Sequence, residues 1–200
     1  MKQQKIEKNI VFTDQSFADS YAGRHERYSK KISAVIVRML SEWGFTSGRI
    51  LDAGCGPGYE AIALKRAFPK ADVTGIDLSQ PLLNFARKGA EAAGLTEGLR
   101  FETGDVESLP FDDRSFDVVI NLFLWNVLKD PVVMCNEIER VLKSDGHLIM
   151  MDLRRYWLLT FFESAVKRAY TPSEAFSIIK GTRMRPVKIH KTMLIWCAWA

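Results

Sequence analysis

Ile50-Leu51-Asp52-Ala53-Gly54-Cys55-Gly56-Pro57-Gly58 is the stretch on which the reading of this 200-residue chain turns. Its first four residues form a short apolar run that predicts a buried strand. Three alternate glycines follow, and glycine lets a backbone turn sharply and approach a ligand without a Cβ clash. The segment then runs into a predicted helix over Glu60 to Phe68, stopped by Pro69. The free N–H groups at the start of that helix favour an anionic group, a carboxylate or a phosphate.

Outward from this loop the same alternation recurs. Asp72 to Asp77 predicts a second strand. Pro81 to Ala93 predicts a helix, with Ser79 as N-cap and Gly94 as its stop. Strands are also expected at Leu99–Thr103, Phe116–Asn121 and Gly146–Asp152, with a helix over Pro131 to Leu142. Strands alternating with helices imply βαβ units and a largely parallel sheet covered on both faces. Outside this core, helices are expected at about Ile32 to Trp43, Trp157 to Tyr170 and Pro172 to Lys180. Val187 to Trp199 reads as a strand or hairpin. The expected organisation is one domain: residues 1–47 a helical lid, 48–152 the core, 153–185 a helical acceptor-side segment and 186–200 the terminal strand or hairpin.

Ligands of such sheets bind beyond the carboxyl ends of the strands, and the chain carries polar residues at those ends. Asp77 closes the second strand, where a carboxylate can accept both hydroxyl hydrogens of a ribose. Gly104-Asp105-Val106 follows the third, where Asp105 can accept from an adenine amine and the Val106 N–H can donate to a ring nitrogen. Asp52 precedes the glycines; there a pyrophosphate would be repelled, and an ammonium or sulfonium attracted. Cys55 reads as a small packed residue. Asp117 reads as a cap or turn residue, and Asp152, Arg154 and Arg155 as solvated charge at the end of the fifth strand.

Composition narrows the classes. The net charge of +4 and pI near 9 come from Lys and Arg spread along the chain, which argues against nucleic acid. Cys55, Cys135 and Cys197 are odd in number and widely separated. Neither a disulfide framework nor a metal site is expected. No apolar run is long enough for a membrane span and Met1 to Lys8 has no secretory pattern, so a cytoplasmic location is expected.

Taken in order, Ile50–Gly58, Gly75-Ile76-Asp77-Leu78-Ser79, Gly104 to Phe111, Ser115 to Val119 and Leu142 to Leu148 resemble the class I S-adenosylmethionine-dependent methyltransferases. Within that family the segments resemble the ubiquinone/menaquinone-biosynthesis type. The resemblance implies a Rossmann-like, doubly wound, mostly parallel seven-stranded sheet with an antiparallel last strand. It implies S-adenosylmethionine as cofactor and S-adenosylhomocysteine as product. It further implies that Gly54, Cys55, Gly56 and Gly58, together with Asp52, cradle the methionine part. Asp77 and Leu78 would take the ribose side, and Gly104, Asp105 and Val106 the adenine. Asn121 and Leu122 would lie near the methionine part, and Tyr21 would close over the cofactor. Many members carry a histidine soon after strand four; here the run is Leu124-Trp125-Asn126-Val127, so no base is assigned. Trp125, Asn126 and Arg154 are the acceptor-side candidates.

The expected partner is a small-molecule acceptor, with the apolar content of 153–180 leaning to a partly apolar one. The expected state is a monomer or homodimer. Two rival readings stand beside this: a non-catalytic protein that binds the same cofactor, and an NAD-dependent oxidoreductase.

Overall fold

The computed structural model describes residues 14–128, 130–155, 169–185, 187–192 and 194–200, apart from the side chain of Phe17. The expected helix Trp157–Tyr170, with Trp157, Phe161 and Phe162, lies almost wholly outside these residues, as does Met1 to Lys8. The chain divides into two compact units, residues 1–105 and 106–200.

Among the described residues, the first element of the first unit is the long helix α1 (Gln15–Glu42). It begins far earlier than the apolar periodicity of Ile32 to Trp43 predicts. The extra turns bury small residues, Ala18, Ala22 and Ser29, which let the helix pack closely but give a weak hydrophobic signal. Strands β1 (Arg49–Ala53), β2 (Asp72–Asp77) and β3 (Leu99–Thr103) pair in parallel, with β2 between the other two. Helices α2 (Tyr59–Ala67) and α3 (Gln80–Ala92) connect them. Ser79 caps α3 as expected, its side chain accepting from the Leu82 N–H.

The second unit holds β4 (Phe116–Leu122), a 3₁₀ turn at Trp125–Val127 and α4 (Pro131–Val141), followed by β5 (Leu142–Leu153) and α5 (Pro172–Lys180). It ends in β6 (Lys188–Lys191) and β7 (Ile195–Trp199). β4 and β5 run parallel, whereas β7 is antiparallel to both β5 and β6. Where the sequence predicts a strand or hairpin, β6 and β7 pair antiparallel, and β7 lies between β5 and β6. Asp130 caps α4 by accepting from Val132. Thr171 and Glu174 close a capping box on α5, satisfying two end donors reciprocally. Among the described residues there are seven strands, and no helix is long and apolar enough to cross a membrane.

Candidate functional site

In the first unit the glycine loop joins β1 to α2. Gly54, Gly56 and Gly58 all have positive φ, at 83°, 48° and 76°. The loop lies against the end of β2, because the N–H groups of Gly54 and Cys55 both donate to the Ile76 carbonyl. Gly58 leaves no room for a side chain: a Cβ there would stand 2.6 Å from the Ala86 Cβ and 2.8 Å from the Phe101 ring. Cys55 is packed, as read, with its Sγ where a Cβ on Gly75 would meet it at 2.8 Å.

Two buried carboxyls flank this loop. Asp77 accepts from the Gly56 N–H through Oδ2 and from the Ser79 N–H through Oδ1, each at 2.8 Å. The Leu78 N–H donates to it as well; a carboxylate has about four lone-pair sites, so capacity is left for a ribose hydroxyl. Asp52 is 2% exposed. The Ala61 N–H donates to its carboxyl, while Oδ2 is buried with no hydrogen-bond partner. A buried acceptor left unmade costs about 1–3 kcal/mol, which makes this atom a position for a donor.

A third acid, which the sequence reading missed, joins them. Glu60, in the first turn of α2, accepts a short hydrogen bond from the Ser29 hydroxyl of α1. Burial holds Asp52 well above the usual carboxylate range, and the negative charges of Glu60 and Asp77 push it further. Asp77 and Glu60 are themselves raised by burial. The cradle thus favours a cation and resists a further anion. Glu60 was detectable only as an acid at a helix start; Ser29 carries no local signal at all.

Tyr21 of α1 lies over the loop. A Cβ on Gly56 would be 3.8 Å from its Cε1, and its ring stacks on His25 with centroids 3.9 Å apart. Tyr59 ties α1 to the loop's far end by donating to the Ala22 carbonyl. Leu78 is exposed at 38%. Gly104, whose N–H donates to the Asp77 carbonyl, and Asp105 are half-buried at the end of β3. The first unit therefore brings together Tyr21, Asp52, Gly54, Cys55, Gly56, Gly58, Asp77 and Gly104, with Leu78 and Asp105 at its margin.

The second unit carries Val106, Asn121, Leu122, Trp125, Asn126 and Arg154. Asn121 is fully buried and Leu122 nearly so at the end of β4. The next residue, Phe123, has φ 55°, a left-handed conformation costly for a large side chain. Its N–H donates to the Met151 carbonyl.

Asp152 corrects the reading of solvated charge: it is 1% exposed. It accepts from the N–H groups of Trp125 at 2.7 Å and Leu153 at 2.6 Å, and also from that of Leu124. Burial pushes its carboxyl up to about 7. An acid closing the apolar run Leu148–Met151 was the available sign, since the run continues through it. Trp125 is buried edge-to-face against Trp196 and Tyr170. Asn126 is half-buried.

Arg154 is also not simply solvated: its guanidinium donates to the Thr192 carbonyl. Arg155 is ion-paired to Glu174. Asp117, read as a cap or turn residue, instead takes an ion pair from Lys143 at 2.7 Å.

Comparison with known proteins supplies context for this geometry. A family model described as a methyltransferase domain matches residues 51–150. A fatty-acid O-methyltransferase of Mycolicibacterium smegmatis is 36% identical over 121 residues, covering 60% of this chain and 43% of that protein. A demethylmenaquinone methyltransferase of Thermus thermophilus is 39% identical over 104 residues, covering 52% and 46%. The chain spans less than half the length of these curated relatives. A solved structure from Methanococcus maripaludis, named as an S-adenosyl-L-methionine-dependent methyltransferase, superposes with a TM-score of 0.79. It covers 100% of this chain and 95% of its own at 20% identity. That likeness shows the fold: Rossmann-like, α/β and mostly parallel, as the sequence implied.

Proposed function

Since the chain belongs to the methyltransferase domain family, we propose that it binds S-adenosylmethionine at the glycine loop and transfers the methyl group to a small, partly apolar acceptor. The observation that carries this reading is the buried, unpartnered Oδ2 of Asp52 beside three positive-φ glycines. A site holding buried carboxyls at Asp52, Asp77 and Glu60 suits a cofactor that brings an ammonium and a sulfonium. The pyrophosphate of a nicotinamide dinucleotide would add negative charge to it, which weighs against the oxidoreductase reading.

Asp52 is the residue to orient the ammonium. The loop from Gly54 to Gly58 admits the methionine part without a Cβ clash. Asp77 accepts from the ribose, while Gly104 and Asp105 take the adenine edge. Tyr21 closes the loop against water. The cofactor supplies an already activated methyl on a sulfonium. The chain's own residues then need to align an acceptor and exclude solvent, and orientation of that kind contributes about 7–11 kcal/mol in favourable systems. No general base is required unless the acceptor must lose a proton. The names of the relatives, acting on a fatty acid and on demethylmenaquinone, support the partly apolar acceptor.

Isothermal titration with S-adenosylmethionine and with NAD tests the cofactor. Binding of NAD without S-adenosylmethionine would sink the reading. Release of S-adenosylhomocysteine across an acceptor panel, with a long-chain fatty acid and a naphthoquinol among its members, tests the transfer.

A further inference from the structure

Four of the chain's Lys and Arg residues, Arg24, Arg27, Lys31 and Arg38, gather on one face of α1. Residues 24–38 hold five Lys or Arg and one acid. Arg24, Tyr28, Lys31, Val35 and Arg38 recur at spacings of four and three, so they form one stripe of the helix. All five are exposed. The stripe runs about 21 Å along the axis at the helical rise. The buried residues Ala18, Ala22, Ser29, Ser33, Ile36 and Leu40 lie on the other side of the helix.

What distinguishes this outer face from ordinary solvated surface is its apolar content. Tyr28 is 66% exposed and Val35 50%. Ile32 and Met39, beside them on the same flank, are half-exposed. Acids neutralise little of it. Glu26 pairs with Lys30 and Glu42 with Arg38. Among the described residues, no ion pair occupies Arg24, Arg27 or Lys31.

We propose that this face of α1 docks on the surface of an anionic lipid bilayer. Tyr28 and Val35 would enter the headgroup boundary while Arg24, Arg27 and Lys31 meet lipid phosphates. A helix with apolar side chains flanked by Lys and Arg is the pattern of interfacial, non-spanning membrane binding. Charge complementarity selects the occupant. Two copies of the stripe would set like charges against each other, which disfavours self-association. Nucleic acid would satisfy the cations but leave Val35, Ile32 and Met39 in water. The proposal rests on α1 alone and does not depend on the cofactor reading.

The test is co-sedimentation of the full chain with phosphatidylcholine vesicles, with and without phosphatidylglycerol, at low and high salt. Binding is expected only to the anionic vesicles and to weaken with salt. The double variant Arg24→Glu/Lys31→Glu is expected to lose about tenfold or more of that binding. Tyr28→Ser/Val35→Ser is expected to lose severalfold while keeping the salt dependence. The substituted positions are exposed, so circular dichroism and thermal melting should match the parent.

Absence of binding, equal binding to neutral vesicles, or full binding by both folded variants overturns the proposal. Tighter binding of a DNA or RNA duplex that is lost in the same charge variant also overturns it, in favour of nucleic acid. Dimerisation abolished by Tyr28→Ser/Val35→Ser overturns it in favour of a second copy.

Discussion

The main-chain N–H of Gly56 donates to Oδ2 of Asp77 at 2.8 Å, so the residue assigned to the ribose also fixes the loop assigned to the methionine part. One carboxylate thereby ties the end of β2 to the turn after β1. Removing it should cost twice, once in the ligand and once in the shape of the loop.

Asp77→Ala is accordingly expected to weaken S-adenosylhomocysteine binding by about 1–3 kcal/mol, the range for lost charged hydrogen bonds. It should also lower the melting temperature of the free protein. Isothermal titration and thermal melting measure the two losses separately. An unchanged affinity would refute the ribose assignment, whereas an unchanged melting temperature would refute the loop-fixing role.

Gly58→Ala and Gly23→Ala should move stability in opposite directions. At Gly58 a Cβ meets the Ala86 Cβ at 2.6 Å with φ at 76°, so strain and overpacking should cost about 1–3 kcal/mol. At Gly23, inside α1, a Cβ meets nothing within 4 Å. Alanine there should stabilise by about 0.5–1 kcal/mol through helix propensity. Urea unfolding of the two variants checks both signs.

Asp152 gives a pH dependence with a definite sign. Its carboxyl is raised from 3.8 to about 7 in the folded protein, so between those values the folded state holds a proton that the unfolded state has released. Stability from this group is then greatest in acid, falls as pH rises from about 4 to about 7, and is level beyond. At about 1.4 kcal/mol per pH unit the fall is on the order of 4 kcal/mol. Asp152→Asn cannot ionise there, so the stability of the parent relative to this variant should decline over that interval. A flat difference in urea unfolding across the interval would refute the buried, raised carboxyl.

Ser29→Ala removes the hydroxyl that donates to Glu60 and should raise a carboxyl already lifted by burial. The loss, about 1 kcal/mol for one hydrogen bond and more if the charged group is left unpartnered, should be larger at neutral pH than in acid, where Glu60 is protonated in both states. Unfolding measured at both pH values checks this. Equal losses would mean that the contact with Glu60 is not the cause.

Local chemistry wrote much of this protein directly into its sequence. The alternation of short apolar runs with amphipathic ones predicts β1 to β5 and the helices between them. Ser79 and the proline and glycine stops mark helix ends by rules that act within a few residues. The glycine loop and the acids at the strand ends are legible for the same reason, as is the resemblance they carry. What the sequence could not decide depends on residues far apart in the chain. Asp52 acquires its raised carboxyl because folding buries it and then brings Glu60 and Asp77 in beside it. Asp152 reads as a surface charge, but folding buries it against the N–H groups of Leu124, Trp125 and Leu153, since desolvation is set by packing and not by the residue itself. The start of α1 was hidden because its buried face uses alanine and serine, whose contribution lies in close approach and not in hydrophobicity. Its basic and apolar stripe emerged only once the helix was known to extend through Arg24 and its burial had fixed which face looks outward.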